Sequence, residues 1–390
     1  MARLLLLLTV MVFLGGCRTI DLDTGFARNE FIHASIIDQR EDRFPEIQPL
    51  LLSEEIKQFV DMQVGDYPDA QSRIQRLQEL LFDQEFLNLQ YTDAKTHTAI
   101  EAFRLREANC LSAMNLFIGM ARHAGVEASF QTMEVQPSWD RRGGLLVLSH
   151  HVNATGRFSV QRRYVVDFTP EIALQQLTAS VVSDQYARGL YFNNLGVEEM
   201  IHGKLDQAIV YFKNALFFEP ELSIAWNNIG AAFNRLGNRE FAEYSYQMAF
   251  NADDTNATAI NNLAKLYRLL GNIQLAEQYE QVIERFNNRN PYFHYARGQV
   301  ALEDSNLEMA EFSFSRAMRL KQEEPDFYLA LAMVYEAQGL DMRAEEMRLS
   351  AQNLLAGNYA IYRPSNQKLR IIDSSRILRD GAPGITITFD

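Results

Sequence analysis

The chain has 390 residues, of which 47% are hydrophobic and 22% charged, so it is long enough for two or three globular domains and is not a disordered polymer. Its net charge of −13 argues against nucleic-acid binding, because the phosphates would be repelled. The same charge argues against binding to anionic lipids through a polybasic segment. After the N-terminus, no hydrophobic run approaches the roughly 20 residues needed to cross a bilayer.

The first 17 residues have the pattern of a targeting segment, with Arg3 before the apolar run LLLLLTVMVFL and the motif LGGC ending at Cys17. This ending resembles the bacterial lipoprotein signal, in which the cysteine becomes the acylated N-terminus. The resemblance implies a signal peptide over 1–16 and a palmitate-bearing membrane anchor on Cys17. Because Arg18 follows, it also implies a place in the cell envelope, on the periplasmic face of the outer membrane. The alternative is an ordinary secretory signal with a chance cysteine.

Residues 17–48 are polar and weakly patterned, which predicts a lipidated tether. The next region, 49–182, begins with helical periodicity up to Phe103 and again from Cys110 to Ala124. Alternating patterns then predict strands over 126–135, 145–155 and 162–169, with a turn or loop over 139–144. Helices followed by a small antiparallel sheet are typical of an α+β domain.

From about Gly189 the sequence repeats every 34 residues. Two columns of small residues indicate closely approaching helices, and a third column indicates the turn inside each helix pair. The columns are Gly196, Gly230, Ala264, Gly298 and Ala332; Ala208, Ala242, Ala276, Ala310 and Ala344; and Gly203, Gly237, Gly271, Ser305 and Gly339. This is the tetratricopeptide (TPR) pattern, and it predicts an all-α solenoid of five units over 189–358. Residues 359–390 form a C-terminal tail that either docks on the sheet or stays loose, its closing ITITFD alternating like an edge strand.

Cys110 is the only cysteine after Cys17. If Cys17 is acylated, Cys110 has no disulfide partner within the chain, and a lone thiol in an oxidising compartment requires an explanation. It stands at a helix start, where unpaired N–H groups and the helix dipole favour a thiolate. Thiol nucleophiles also need a base and a residue that orients the base, and the following strands offer His150-His151 and Asp167. Only one of the two histidines can face the cysteine, because adjacent side chains of a strand point to opposite faces.

Three motifs carry a resemblance to the transglutaminase-like superfamily of papain-type thiol enzymes: NCLSA at 109–113, HVNA at 151–154 and YVVDFTP at 164–170. The resemblance covers about residues 50–180 and implies an α+β transglutaminase-like/papain-like domain over 49–182. In that domain Cys110 would be the nucleophile, His151 the general base and acid, and Asp167 the orienting acid. The chain departs from animal cross-linking transglutaminases in lacking a tryptophan beside the cysteine and their additional β domains.

Each of these residues also has a structural interpretation: a core thiol, a strand histidine and an aspartate that starts a turn. No CxxC, HExxH or His pair at i, i+4 occurs, so no metal site is expected. No Walker or Rossmann glycine pattern occurs either, and we expect no cofactor.

Asparagine pairs recur at equivalent places on the first helices of three repeats, where TPR proteins form a groove. They are Asn193 and Asn194, Asn227 and Asn228, and Asn261 and Asn262. They are candidates for binding an extended peptide backbone, or one of each pair is a structural residue. The sequence thus supports two hypotheses. One is a lipid-anchored envelope thiol enzyme, a peptidase, amidase or acyl transferase working through a Cys110 thioester, whose repeats bind a protein or peptide. The other is a non-enzymatic TPR scaffold lipoprotein with a degenerate transglutaminase-like domain.

Overall fold

The computed structural model describes residues 26–38, 45–92, 95–142, 145–159, 162–168, 180–289, 291–322, 324–361 and 369–373. Within these ranges an N-terminal helix-and-sheet domain is followed by a long helical region. No helix of the described ranges combines the length and the apolar character that a bilayer span requires.

The N-terminal domain places helices before a five-stranded sheet of strand order β6-β3-β4-β5-β7, in which every pairing is antiparallel. The order of helices and sheet is therefore as predicted. Side chains at each helix start accept hydrogen bonds from the first turn, as those of Ser53 and Thr98 do, which explains where these helices begin. The elements are α1 (Glu30–Ile37), α2 (Glu54–Val64), α3 (Ala70–Phe82), β1 (Gln90–Tyr91), α4 (Ala99–Leu105), β2 (Glu107–Ala108), α5 (Cys110–His123), β3 (Ser129–Arg142), β4 (Leu145–Arg157), β5 (Arg162–Val166), β6 (Ser180–Val182) and β7 (Leu369–Asp373).

The hairpin between β3 and β4 is longer than predicted. Residues 139–142, expected in a turn, continue β3 and pair with 145–148. A register shift between Met133 and Ser138 changes which residues face each other, so simple alternation does not extend through it. Residues 143–144 lie outside the described residues.

The last strand of the sheet, β7, comes from the C-terminal tail. It pairs with β5 from Arg162↔Asp373 to Val166↔Leu369. Seven residues separate β7 from Ile361, where the helical region ends, and a linker of this length spans at most about 30 Å. The tail therefore docks on the sheet, through residues 369–373; the ITITFD segment, for which an edge strand was predicted, lies outside the described residues.

The helical region confirms the five TPR units as five consecutive antiparallel helix pairs, beginning slightly earlier than predicted and ending slightly later. We call the first helix of each pair its A helix and the second its B helix. The A helices are α6 (Asp184–Ile201), α8 (Ser223–Arg235), α10 (Ala257–Leu269), α12 (Pro291–Glu303) and α14 (Pro325–Ala337). The B helices are α7 (Leu205–Phe218), α9 (Arg239–Ala252), α11 (Ile273–Arg289), α13 (Leu307–Leu320) and α15 (Asp341–Ile361).

The repeated small residues do what their spacing predicts. A Cβ on Gly196 would lie 2.4 Å from the ring of Phe212, so that column lets the two helices of a pair approach closely. The turn column has positive φ throughout, from Gly203 at 77° to Ser305, the one non-glycine, at 59°. The repeat pattern thus records two backbone requirements, close approach and a left-handed turn.

Helix α1 lies inside the segment interpreted as a tether, and there the structure differs from that interpretation. Ile32 and Ile36, four residues apart, are buried, and α1 packs against α7. The ring of His33 stacks on Trp226, and its Nδ1 lies 2.9 Å from the Tyr244 hydroxyl. A helix of two turns is too short to stand out as periodicity, so only its packing partners reveal it.

The N-terminal domain and the first repeats share one continuous hydrophobic core. Polar contacts join them as well: Arg122 forms two hydrogen bonds with the Asp184 carboxylate, at 2.6 and 2.9 Å. Arg188 donates to the Ile47 carbonyl at 2.7 Å and lies over the ring of Phe218. The two regions are therefore in direct contact.

Candidate functional site

Cys110 is the first residue of α5 and is partly exposed. Its helix begins here because Asn109 is extended and its Oδ1 accepts a hydrogen bond from the Ser112 N–H at 2.8 Å. The unpaired N–H groups of such a first turn favour a negative charge. The predicted position of the thiol at a helix N-terminus is therefore confirmed.

A preceding loop supports this helix start. Asn109 Nδ2 donates to Thr96 Oγ1 at 2.9 Å, and the His97 N–H donates to Ser112 Oγ at 2.7 Å. The Asn109 amide is engaged at both ends, so it caps and braces the helix. Thr96 and His97 are both buried. No sequence pattern indicated this loop, because no spacing rule links residues so far apart along the chain.

Asp167 directly follows β5 and is 1% exposed. The β4–β5 register pairs Ala154 with Val166, so the next position along brings Asp167 opposite Asn153, which is also buried. Position 151 shares a strand face with Asn153, since the side-chain period of a strand is two. The backbone of His151 pairs with Met133, and its side chain lies outside the described residues.

The helix of Cys110 packs against β4, the strand that carries His151. Asp167 follows the neighbouring strand, so the elements of the three predicted site residues are adjacent. The register shift of β3 falls opposite His150, between the pairs Met133↔His151 and Ser138↔Ser149. Such irregularities re-aim side chains and are frequent beside active sites.

The six asparagines of the first three repeats lie on neighbouring A helices, and several of them bind one another. Asn228 Nδ2 donates to Asn193 Oδ1, and Asn262 Nδ2 donates to Asn227 Oδ1, both at 2.9 Å. Asn227 Nδ2 also donates to Asn228 Oδ1 at 3.2 Å. We call this set of hydrogen bonds the asparagine ladder.

Asn193 and Asn227 are only 2% and 5% exposed, so in the ladder they hold one repeat to the next. This geometry favours the structural interpretation for the first member of those pairs. Asn194 and Asn261 are half-buried on the same helices. Peptide binding by the asparagines stays a prediction.

The ladder face changes character towards the C-terminus. Leu329 occupies the column of Asn193 and Asn227 in the fifth repeat and is 39% exposed. One turn further along α14, Met333 is 58% exposed. In the column of Asn193, the A-helix face thus runs from polar in the first three repeats to apolar in the last, a gradient that no sequence motif indicated.

Cys17, the predicted lipidation site, lies outside the described residues. Over the described ranges, no cluster of three or more His, Cys, Asp or Glu side chains is placed to hold a metal ion.

Comparison with known proteins finds likeness only among solved structures. No protein-family model matches the chain, and no curated protein matches it. The crystal structure of MamA is 21% identical over 43% of this chain and 98% of that one, with a TM-score of 0.26. MamA 41-end from Desulfovibrio magneticus RS-1 is 16% identical over 44% and 96%, with a TM-score of 0.25. YrrB, described as a TPR protein with an unusual peptide-binding site, is 17% identical over 43% and 86%, with a TM-score of 0.24.

Proposed function

We propose that this chain is a lipid-anchored interaction protein of the bacterial envelope, whose TPR solenoid binds a protein or peptide partner on its A-helix face. The observation that carries the proposal is the pair of exposed apolar side chains, Leu329 and Met333, on the face where the ladder asparagines lie in earlier repeats. A solenoid of this kind presents an extended surface made of equivalent positions, which suits an extended ligand.

The change from polar to apolar residues along this face indicates which chemical groups a partner would present to it. A bound segment would place apolar side chains against Leu329 and Met333 and backbone or polar groups near Asn194 and Asn261. An exposed methionine suits such a surface because its side chain is flexible and polarisable. The net charge of −13 makes a strongly acidic segment the least favourable ligand.

A photo-crosslinking amino acid at position 333 tests this proposal in cells. We expect a discrete adduct whose partner peptide can be identified by mass spectrometry, and its loss on Leu329→Asp. The matched control is Phe312→Asp, because Phe312 is 55% exposed on a B helix, α13. Equal loss in both variants, or no adduct at position 333, would contradict binding on the A-helix face.

The second candidate function is thiol chemistry at Cys110. It is supported by a partly exposed cysteine at a capped helix start, packed on the strand of His151 next to the buried Asp167. In this proposal Cys110 attacks an amide carbonyl, His151 transfers the proton to the leaving amine, and water or a second amine releases the acyl group. The likeness of the three sequence motifs to transglutaminase-like enzymes points to the same chemistry.

The rate of Cys110 alkylation as a function of pH tests this second candidate. Activation predicts a rate that persists well below pH about 8.5, the ordinary pKa of a free thiol, and that falls in His151→Ala. His150→Ala is the matched control, since the neighbouring strand position lies on the opposite face. A pH profile like that of an ordinary thiol, or no alkylation in the folded protein, would contradict the thiol chemistry and leave only the scaffold function.

The lipid anchor on Cys17 is a proposal with a geometric consequence. Eight residues separate Cys17 from Phe26, whose ring contacts Tyr244 on α9, and a chain of this length reaches at most about 30 Å from Phe26 to the anchor. An acylated N-terminus would therefore hold the first two repeats near the membrane surface. Cys17→Ser should abolish the mass increase of the acyl chains and move the protein from the membrane to the soluble fraction. An unchanged mass and an unchanged distribution would contradict the anchor.

A further inference from the structure

One contact joins the repeat domain to the loop that supports the Cys110 helix. Glu198 lies on α6, the A helix of the first repeat, and its Oε1 accepts a hydrogen bond from the Thr96 N–H at 2.7 Å. Thr96 is buried, and 102 residues separate the two along the chain. The contact thus crosses between the two regions of the molecule.

From Thr96 the hydrogen bonds continue to the helix start. Asn109 Nδ2 donates to Thr96 Oγ1, and Asn109 Oδ1 accepts from the Ser112 N–H in the first turn of α5. The His97 N–H donates to Ser112 Oγ, which ties the same loop to the same turn a second time. Glu198 is therefore connected to the residues on both sides of Cys110 through Thr96 and Asn109.

The contact lies partly out of water, because Thr96 is buried and Glu198 is half-buried. Burial raises the pKa of the Glu198 carboxyl, while the hydrogen bond from Thr96 and the nearby charge of Lys95 act in the opposite direction. Without Glu198, the buried Thr96 N–H would lose its acceptor, and a buried donor without a partner is unfavourable.

Glu198 also lies beside the face on which we place the partner. Its neighbour Val197 occupies in the first repeat the column that Met333 occupies in the fifth. A ligand seated along the A helices would thus contact α6 one residue away from Glu198.

We propose that Glu198 is a positioning residue through which the first repeat holds the loop at 95–98 and the N-terminus of the Cys110 helix. In consequence, the reactivity of Cys110 depends on the state of the repeat domain. This last statement rests on the proposed thiol chemistry, whereas the mechanical connection does not.

Hydrogen exchange of the full chain, purified in detergent, tests the connection. Glu198→Ala should speed amide exchange in 95–98 and 109–113 by about tenfold, equivalent to about 1.4 kcal/mol. Glu198→Gln should remain close to the parent, because its amide oxygen still accepts from Thr96. The control is Glu199→Ala, which removes the neighbouring carboxylate, whose ionic partner is Lys204. Equal exchange in all variants would overturn the proposal.

A second variant covers the case in which Glu198→Ala does not fold. Thr96→Val keeps the backbone N–H that binds Glu198 and removes the hydroxyl, which accepts from Asn109 and also hydrogen-bonds to Glu198. We expect faster exchange in 109–113 and a smaller change in α6, because the backbone hydrogen bond to Glu198 remains. Unchanged exchange in both segments would show that the Thr96–Asn109 connection does not hold the helix start.

The pH profile of Cys110 alkylation then tests the functional consequence, with the labelled peptide identified by mass spectrometry. We expect at least a threefold change of rate in Glu198→Ala, recovery in Glu198→Gln and none in Glu199→Ala. Altered exchange with an unaltered profile would overturn the dependence of reactivity on the first repeat. A thiol that is unreactive in the parent protein would overturn the thiol chemistry itself, and the exchange data would still decide the connection.

Discussion

The first two repeats and the last two have the same helix-pair pattern but pack against different parts of the molecule. The first two belong to a continuous core that includes α1 and the N-terminal domain, and the asparagine ladder adds polar contacts between their A helices. The fourth and fifth repeats pack around a smaller cluster centred on Phe314, and Ala296 stands where the ladder has Asn228 and Asn262. Equal repeat sequences therefore do not imply equal local stability, because each unit depends on its neighbours.

The largest expected effect comes from replacing a glycine in the column where the two helices of a pair approach closely. Gly196→Val in the first repeat should destabilise the protein by about 3 kcal/mol, because the added atoms meet the ring of Phe212. Gly298→Val meets Phe314 in the same way in the fourth repeat. Chemical denaturation and hydrogen exchange should show that the first change weakens the N-terminal domain as well, while the second loosens repeats four and five alone. The same response to both changes would mean that the solenoid unfolds as one unit.

Breaking the asparagine ladder has the next largest effect. Asn228→Ala removes the donor to Asn193 and the acceptor of Asn227, both buried, and should cost about 2 kcal/mol in the free energy of unfolding. Asn261→Ala is the control, because the ladder bonds join residues 35 positions apart and Ala296, 35 positions after Asn261, has no amide to donate. A urea titration measures both. Equal losses would show that the ladder geometry is not the cause.

A smaller and opposite effect is expected in the fourth repeat. Ser305 has a φ of 59°, a conformation that costs a residue with a Cβ more than it costs glycine. Ser305→Gly should therefore stabilise repeats four and five by roughly 0.5–1 kcal/mol, measured as slower amide exchange there. The reverse change, Gly339→Ser, should destabilise the fifth repeat by a similar amount. Destabilisation by Ser305→Gly would refute the strain argument.

The smallest expected effect is the pH dependence of α1 docking. Burial lowers the pKa of His33 below its usual 6.5, the charge of Arg28 adds to this, and Glu30 opposes it. Because the docked state favours the neutral ring, docking is strongest above pH about 6.5 and weakens as the pH falls below it. Between pH about 7.5 and 5.5, the Tm should fall about 1–2 °C more than in His33→Gln, which does not titrate. An equal fall in both proteins would exclude this origin.

The solenoid was predictable from the sequence because its requirements repeat. A left-handed turn and a close helix approach each require a small residue at the same place in every unit. The columns that include Gly203 and Gly196 therefore recur in all five repeats of the sequence. The helix start at Cys110 was likewise predictable, because Asn109 and the following apolar stripe are local signals. In each of these signals, the residues that interact lie close together in the sequence or recur at a fixed spacing.

Other features depended on the tertiary structure, because their partners lie far away in the sequence and follow no period. Helix α1 is stabilised by Trp226 and Tyr244, and β7 by β5. Glu198 joins the helix-start loop 102 residues before it. The sequence alone determined the repeats, the longer helices and the residue types of the candidate site. The tertiary structure decided that α1 packs on the repeats, that β7 joins the sheet and that the first repeat contacts the loop before the Cys110 helix, because only packing brings such distant groups together.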